Sequence, residues 1–362
     1  MGANQHTLSK AHADFYGRLL FFSRVWCCLV FAHLLHFIAG ERTTILFSTY
    51  TQIFGNYYLK AFLIAYGIWI YLDKEKSENE VRGSGIRWMR DNFFWKHFRD
   101  YFPVELVKTE ELPPNKNYLL ACYPHGVAGI GVFTNLGVDI SRWNELFPKI
   151  RPKPATLAFQ FSTPFWRHIV KSWGLISVTR KSLYNNLTTS HDPKDPINAA
   201  DGYTSSAVAV VVGGAKEALD SKPGKYILTI KDRKGFIKLA MRSGAAIVPV
   251  FSFGEVDVFD QLDNPPNSFV RKMQLLVKKI TGISPLIILG RGFFQYNIGM
   301  LPQRRRIVQV VGAPIDVPKS DDPSEEVVDK FHQKFMDDLN ALFETHKSKY
   351  IADPEKAVLV MK

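Results

Sequence analysis

Cysteine is scarce: three in 362 residues, at 27, 28 and 122, too few for a disulfide scaffold. With no CxxC pair, and no third ligand for any HxxxH-type pair, zinc has no support. The phosphate loop GxxxxGKS/T is missing, which removes the main signal for NTP hydrolysis. The GxSxG elbow is missing too, which argues against a serine hydrolase of the common α/β type. Gly129-Ile130-Gly131 begins a dinucleotide fingerprint, but Thr134 stands where its last glycine belongs. No tandem period is visible. Acidic residues run short, 34 against 46 Lys plus Arg, a net charge of +12. That balance asks for an anionic partner: nucleic acid, a membrane surface or a phosphorylated ligand. Aromatics at 13% and hydrophobics at 46% exclude a disordered chain. At about 150 residues per domain, the length fits two domains or one large one.

Hydrophobic patterning divides the chain. Residues 25–39 read VWCCLVFAHLLHFIA, roughly 22 Å as helix and shorter than a bilayer core of about 30 Å. A polar-rich start and the lack of a small-residue cleavage site argue against a signal peptide. A second apolar stretch covers residues 53–72. Lys10 and Arg18 flank the pair on one side, and Lys74, Lys76, Arg82, Arg87 and Arg90 on the other. The pattern predicts a membrane-embedded helical hairpin, spanning or re-entrant, with both ends cytosolic. Residues 88–102 alternate aromatic with basic side chains, as in a helix lying at a membrane interface. The expected organisation is therefore tail, hairpin and linker over 1–86, a cytosol-facing domain over 87–350, and a loosely ordered tail over 351–362.

Past Pro103 short apolar runs recur, each followed by glycine or a turn, with helical stretches between several of them. This predicts an α/β fold, a largely parallel sheet flanked by helices. The last element is a long helix opening near Asp322-Pro323-Ser324-Glu325, with Val328, Phe331, Phe335, Leu339 and Leu342 as its apolar stripe.

Of ten histidines, His125 stands apart. It lies in Tyr123-Pro124-His125-Gly126, directly after an apolar run, so a tight turn holds it at the strand end where α/β sheets place their chemistry. His332 and Asp337 form a literal HxxxxD pattern, but five positions along one helix turn the two side chains apart. Cys122 is a weak candidate for a nucleophilic thiol, because a buried strand cysteine is usually inert.

These blocks resemble the acyl-CoA:diacylglycerol acyltransferase type 2 family, with its monoacylglycerol acyltransferase and wax-synthase relatives. Residues 99–103 are similar to its RDYFP block and residues 123–126 to its HPHG block. Residues 211–219 resemble VVGGAxEAL, and residues 233–240 resemble RKGFxKLA. Ile150-Arg151-Pro152, residues 155–158, Val248-Pro249-Val250, Ser252-Phe253-Gly254-Glu255 and Gly290-Arg291-Gly292 complete an ordered set. Two departures stand out. Tyr123 replaces the family's first His, and Phe62-Leu63-Ile64-Ala65 does not match the FLxLxxxN pattern of some members.

The resemblance implies transfer of a fatty acyl group from acyl-CoA to a lipid hydroxyl, diacylglycerol first and monoacylglycerol or a wax alcohol as alternatives. Residues 213–220 with Phe294-Gln295-Tyr296 lean toward the monoacylglycerol branch. His125 is then the base for a weakly nucleophilic hydroxyl. The imidazolium wants a carboxylate, for which Glu217 is the candidate, with Asn135 a weaker orienter that also counts among the substrate-binding residues. Oxyanion donors are sought at the backbone of Gly126 or of Gly213-Gly214. Arg233, Lys234, Lys238 and Arg291 are expected on the CoA phosphates, with Arg151 behind them. Tyr101 and Pro103 join the substrate-binding set through their block. No metal or cofactor is implied, acyl-CoA being a substrate.

Nucleic acid is not expected, because the aromatics accompany membrane-like segments rather than a reader module. The implied setting is the endoplasmic reticulum membrane or a lipid-droplet surface, and homo-oligomer formation stays open. A reading from another class is a catalytically idle lipid-binding droplet protein, suggested by Tyr123.

Overall fold

The computed structural model describes residues 57–79, 85–138, 142–189, 202–263, 265, 267–281, 285–292 and 299–362. The first apolar run and Phe294-Gln295-Tyr296 lie outside them. In chain order the strands are β1 (Val104–Lys108), β2 (Tyr118–Tyr123), β3 (Ile150–Thr156), β4 (Ile176–Ser177), β5 (Ser205–Val211), β6 (Tyr226–Leu228), β7 (Ala246–Phe253), β8 (Asp260–Gln261), β9 (Ile288–Leu289), β10 (Ile307–Val311) and β11 (Leu359–Met361). Seven of them form one sheet, in the order β1-β10-β7-β2-β5-β3-β4. From β7 to β4 all neighbours are parallel, with Cys122 opposite Val211 on one side and Val250 on the other. Among the described residues of this sheet, only the β10–β7 pairing is antiparallel. The fold is thus α/β with a largely parallel sheet, as the recurrence of apolar runs predicts.

The helices used below are α1 (Tyr57–Asn79), α2 (Phe93–Tyr101), α3 (Ile130–Val132), which continues as a π-helical turn over Phe133–Gly137, α4 (Trp166–Ser172), α5 (Arg180–Leu187), α6 (Gly214–Ala218), α7 (Gly235–Ser243), α8 (Phe269–Thr281) and α9 (Glu325–Tyr350). Strand β2 is central, and all six of its residues are buried. Successive side chains leave opposite faces. Leu119, Ala121 and Tyr123 join a core with residues of α5, α7 and α9. Tyr118, Leu120 and Cys122 join a second core with Leu136, Trp143 and Phe147. Each fully buried side chain of leucine size contributes about 1.5–3 kcal/mol, so both layers hold the central strand. Helix α9 lays Val328, Phe335, Leu339 and Leu342 into the first core. Its cap is Ser324, which accepts the Val327 N–H, rather than Asp322.

Two expectations need correction. The final residues are not a loose tail: β11 pairs in parallel with β6, and Ala357 is buried in the core. Helix α2 and its flanks do not turn all their rings outward. Trp95, Phe98 and Phe102 pack inward with Phe133 and Trp173, while Trp88 and Phe93 stay exposed. The second apolar run forms most of α1, which docks on the α/β layer, the Tyr66 ring stacking on Phe165 and Asp73 pairing with Arg167. Among the described residues no helix is long and apolar enough to cross a membrane.

Candidate active site

Three adjacent parallel strands each deliver one residue just beyond the same carboxyl edge of the sheet. β2 is followed by His125, β5 on one side by Glu217 within α6, and β7 on the other by Glu255 in the next turn. That edge is where open α/β sheets carry their ligands.

His125 is half-buried, and its Nδ1 lies 3.0 Å from the Gly126 carbonyl oxygen. A carbonyl only accepts, so this contact places the proton on Nδ1 and leaves Nε2 as the free lone pair. Burial pushes the imidazole pKa below its ordinary 6.5, with backbone hydrogen bonding partly opposing. A neutral ring with Nε2 open is the form a general base requires.

The carboxylate expected at the ring is beside it but bonded elsewhere. Glu217 Oε1 accepts the backbone N–H of His125 at 2.5 Å, and Oε2 accepts the Thr229 N–H at 2.8 Å. Glu217 therefore fixes the turn, and the Gly126 carbonyl does the orienting assigned to the carboxylate. Burial raises the Glu217 pKa to about 7, opposed by those two N–H bonds, with Arg233 also favouring the charged form. The close fold-back explains the first of the paired glycines, since a Cβ at Gly213 would fall 2.1 Å from Glu217 Oε2, while Gly214 is set apart by its left-handed φ of +59°.

Glu255, quoted above only as a motif residue, is the second clamp. It is buried, and its two oxygens accept the N–H groups of Ile130 and Gly131, each at 2.8 Å. Burial lifts its pKa to about 7, with hydrogen bonds from 131, 130 and 129 pulling it back. It also walls the catalytic turn. Gly126 has φ +59°, and a Cβ there would meet Glu255 Cγ at 2.7 Å and its carbonyl oxygen at 3.0 Å. Gly126→Ala should lower stability by about 1–3 kcal/mol through the left-handed backbone and the clash. It should also cut kcat about a hundredfold, as misplacement near 1 Å does. Melting and steady-state kinetics on the same sample check both, and unchanged kcat would show that the turn tolerates a shift.

The other expected residues scatter. Asn135 is buried and donates to the Glu105 carbonyl oxygen at 3.3 Å. Arg233 is exposed but influences both Tyr123 and Glu217 electrostatically. Lys234 and Lys238 pair with Asp329 and Glu325 of α9, each at 2.5 Å. Arg291 lies over the Tyr101 ring, 5.1 Å from its centroid, and its backbone pairs with Leu301. Tyr101 donates its hydroxyl to the Pro302 carbonyl. Pro103 forms the corner between α2 and β1. Tyr101 and Phe102 pack with Val127 and Ile130, which places their block behind the wall of the catalytic turn. Arg151 is buried at the amino end of β3, the opposite edge from His125, under the Tyr203 ring.

Three further side chains are accounted for by packing. Tyr123 turns into the core against Phe335, so the residue replacing the family's first His is not at the reacting edge. Cys122 points to the other core, and burial pushes its pKa far up, which silences the thiol. His332 contacts the Ile230 carbonyl in the interior while Asp337 accepts from Gln333 at the surface, so HxxxxD is no pair here.

A family model described as Diacylglycerol acyltransferase matches residues 52–362. Diacylglycerol O-acyltransferase 2 of Dictyostelium discoideum is 41% identical over 285 residues, 79% of this chain and 82% of that protein. Human 2-acylglycerol O-acyltransferase 1 is 40% identical over 299 residues, 83% of this chain and 85% of its own length. Human diacylglycerol O-acyltransferase 2 is 38% identical, covering 82% of this chain and 73% of the relative. Among solved structures, the 1-acyl-sn-glycerophosphate acyltransferase PlsC from Thermotoga maritima aligns with 88% of this chain and 93% of its own, at 12% identity and a TM-score of 0.35, a distant likeness only.

Proposed function

This chain belongs to the diacylglycerol acyltransferase family, and from that membership we propose that it moves a fatty acyl group from acyl-CoA to the free hydroxyl of diacylglycerol, forming triacylglycerol. The observation that carries the chemistry is the His125 ring, held through Nδ1 at the carboxyl edge with Nε2 free. Nε2 takes the hydroxyl proton as the oxygen attacks the thioester carbonyl. The tetrahedral oxyanion falls to backbone N–H groups of Gly126 or Gly213-Gly214. Collapse breaks the C–S bond, and the imidazolium returns its proton to the departing thiolate, giving free CoA and an ester.

Diacylglycerol dissolves in bilayers, so the enzyme must work at a lipid surface. Helix α1 supports this, presenting Phe62, Ile64, Ile68, Tyr71 and Leu72 outward. With the preceding apolar run it would seat the catalytic edge on the endoplasmic reticulum membrane or a lipid droplet, facing the cytosol. A second reading, with monoacylglycerol as acceptor, is favoured by the human relative named as a 2-acylglycerol acyltransferase.

Purified in detergent and given labelled oleoyl-CoA with competing mono-acylglycerol, diacylglycerol and hexadecanol, the protein should yield labelled triacylglycerol on thin-layer separation. Labelled diacylglycerol as the main product would move the assignment to the second reading. No product above a mock preparation would leave the idle lipid-binding protein.

A further inference from the structure

A cavity of about 730 Å³ opens between α5 and α7, within the roughly 300–1,000 Å³ usual for small-molecule sites. Four cations line it: Arg180 and Lys181 from α5, Lys238 and Arg242 from α7. Tyr184 and Leu239 add apolar surface, and Tyr184 is 40% exposed. Asp321 is the one carboxylate among the described lining residues. Arg242 Nε donates to the Asp321 carbonyl at 2.9 Å, and Lys238 pairs with Glu325. Arg180 and Lys181 are exposed at the rim.

Topology sets the Arg180, Lys181 and Gly235 end of this cavity on the catalytic side. Helix α5 starts directly after β4, at the carboxyl edge of the parallel block. Helix α7 leads into the amino end of β7, so its first turn lies at the same edge as His125. A ring, an aliphatic wall and clustered cations are what a phosphorylated nucleotide requires: a stacking surface for the base and charge-assisted donors for the phosphates.

We propose that this cavity receives the 3′-phosphorylated ADP end of acyl-CoA, with Arg180 and Lys181 on its phosphates and Tyr184 against its adenine. The proposal rests on the acyl-CoA reading above and moves the phosphate site from Arg233, Lys234 and Arg291 to a pair on α5. The flexible pantetheine arm accounts for a nucleotide site apart from the base along the same edge.

The test is the double variant Arg180→Ala/Lys181→Ala. Both side chains are exposed, and Thr179 still caps α5 by accepting the Ser182 N–H. The KM for oleoyl-CoA should rise about tenfold or more, with turnover recovered at saturating CoA ester and the acceptor KM unmoved. Oleoyl-dephospho-CoA, which lacks the 3′-phosphate, should show a raised KM with the wild type and a smaller further rise with the variant than oleoyl-CoA shows. Arg180→Lys/Lys181→Arg should restore most of the loss. Calorimetry with 3′,5′-ADP reads the cavity without turnover: the wild type should bind and the double variant should not, even if no acceptor is acylated. Unchanged CoA-ester KM together with unchanged nucleotide binding would overturn the proposal. So would a rise confined to the acceptor KM with lost binding to phosphatidic acid vesicles, which would assign the phosphate to a lipid headgroup.

Discussion

His125→Ala should leave a folded protein whose kcat is lower by about 10²–10⁴, the usual worth of a positioned general base. At 1.36 kcal/mol per tenfold, that is about 3–5 kcal/mol of transition-state stabilisation. The fold should survive because the ring is half-buried and its bond is to its own neighbour, Gly126. The backbone N–H that Glu217 holds is kept in alanine. KM for both substrates should change little, since the proton moves only as the hydroxyl attacks. The pH profile gives an independent reading. Burial favours the neutral ring, so its proton leaves at lower pH than usual, and kcat/KM should rise through a midpoint below 6.5. A midpoint near 7 would instead report Glu217 or Glu255, both raised to about 7. Turnover of the alanine variant within threefold of wild type would remove His125 from the chemistry.

His125 was legible because its signal is local: an apolar run, then Pro and Gly around a single ionisable side chain. Glu217 was legible as a neighbour, from a strand end on the same edge, but not in its bonding. Which atom it meets depends on Gly213 letting the carboxylate fold back, a fact of backbone conformation. Glu255 gave no sign because its partners, Ile130 and Gly131, lie 125 and 124 positions away and offer only main-chain N–H groups. Main-chain donors are invisible to residue typing. The same holds for cations: sequence shows Lys234 and Lys238, but not that α9 brings Asp329 and Glu325 onto them. Strand β3 carries Pro152 and Pro154, which argue against an interior strand, yet it pairs with both β5 and β4. Helix α2 shows a different limit. Aromatics interleaved with bases satisfy either a lipid surface or a protein core, and only the partners Phe133 and Trp173 decide it.

Glu217→Gln should be damaging although it keeps size and shape. Each carboxylate oxygen accepts one main-chain N–H, from His125 at 2.5 Å and Thr229 at 2.8 Å. An amide has a single acceptor oxygen, so whichever way it turns, one N–H faces an NH₂ group. A buried donor left unpaired costs about 1–3 kcal/mol. If the His125 side is lost, the base drifts, and kcat should fall by about 10²-fold at little cost in KM. Stability should depend on pH with a definite sign. The folded-state pKa is raised from 4.5 to about 7, so the folded protein holds this proton more tightly than the unfolded chain. The stabilisation linked to it is full below 4.5 and fades as pH rises through 7. Glutamine does not titrate, so the variant's deficit in melting temperature should be largest near pH 5 and shrink toward pH 8. A deficit that instead grew between pH 5 and 8 would mean the carboxylate is held in its charged form. Unimpaired turnover would separate the His125 turn from Glu217 altogether, leaving Glu255 and the Gly126 carbonyl as its supports.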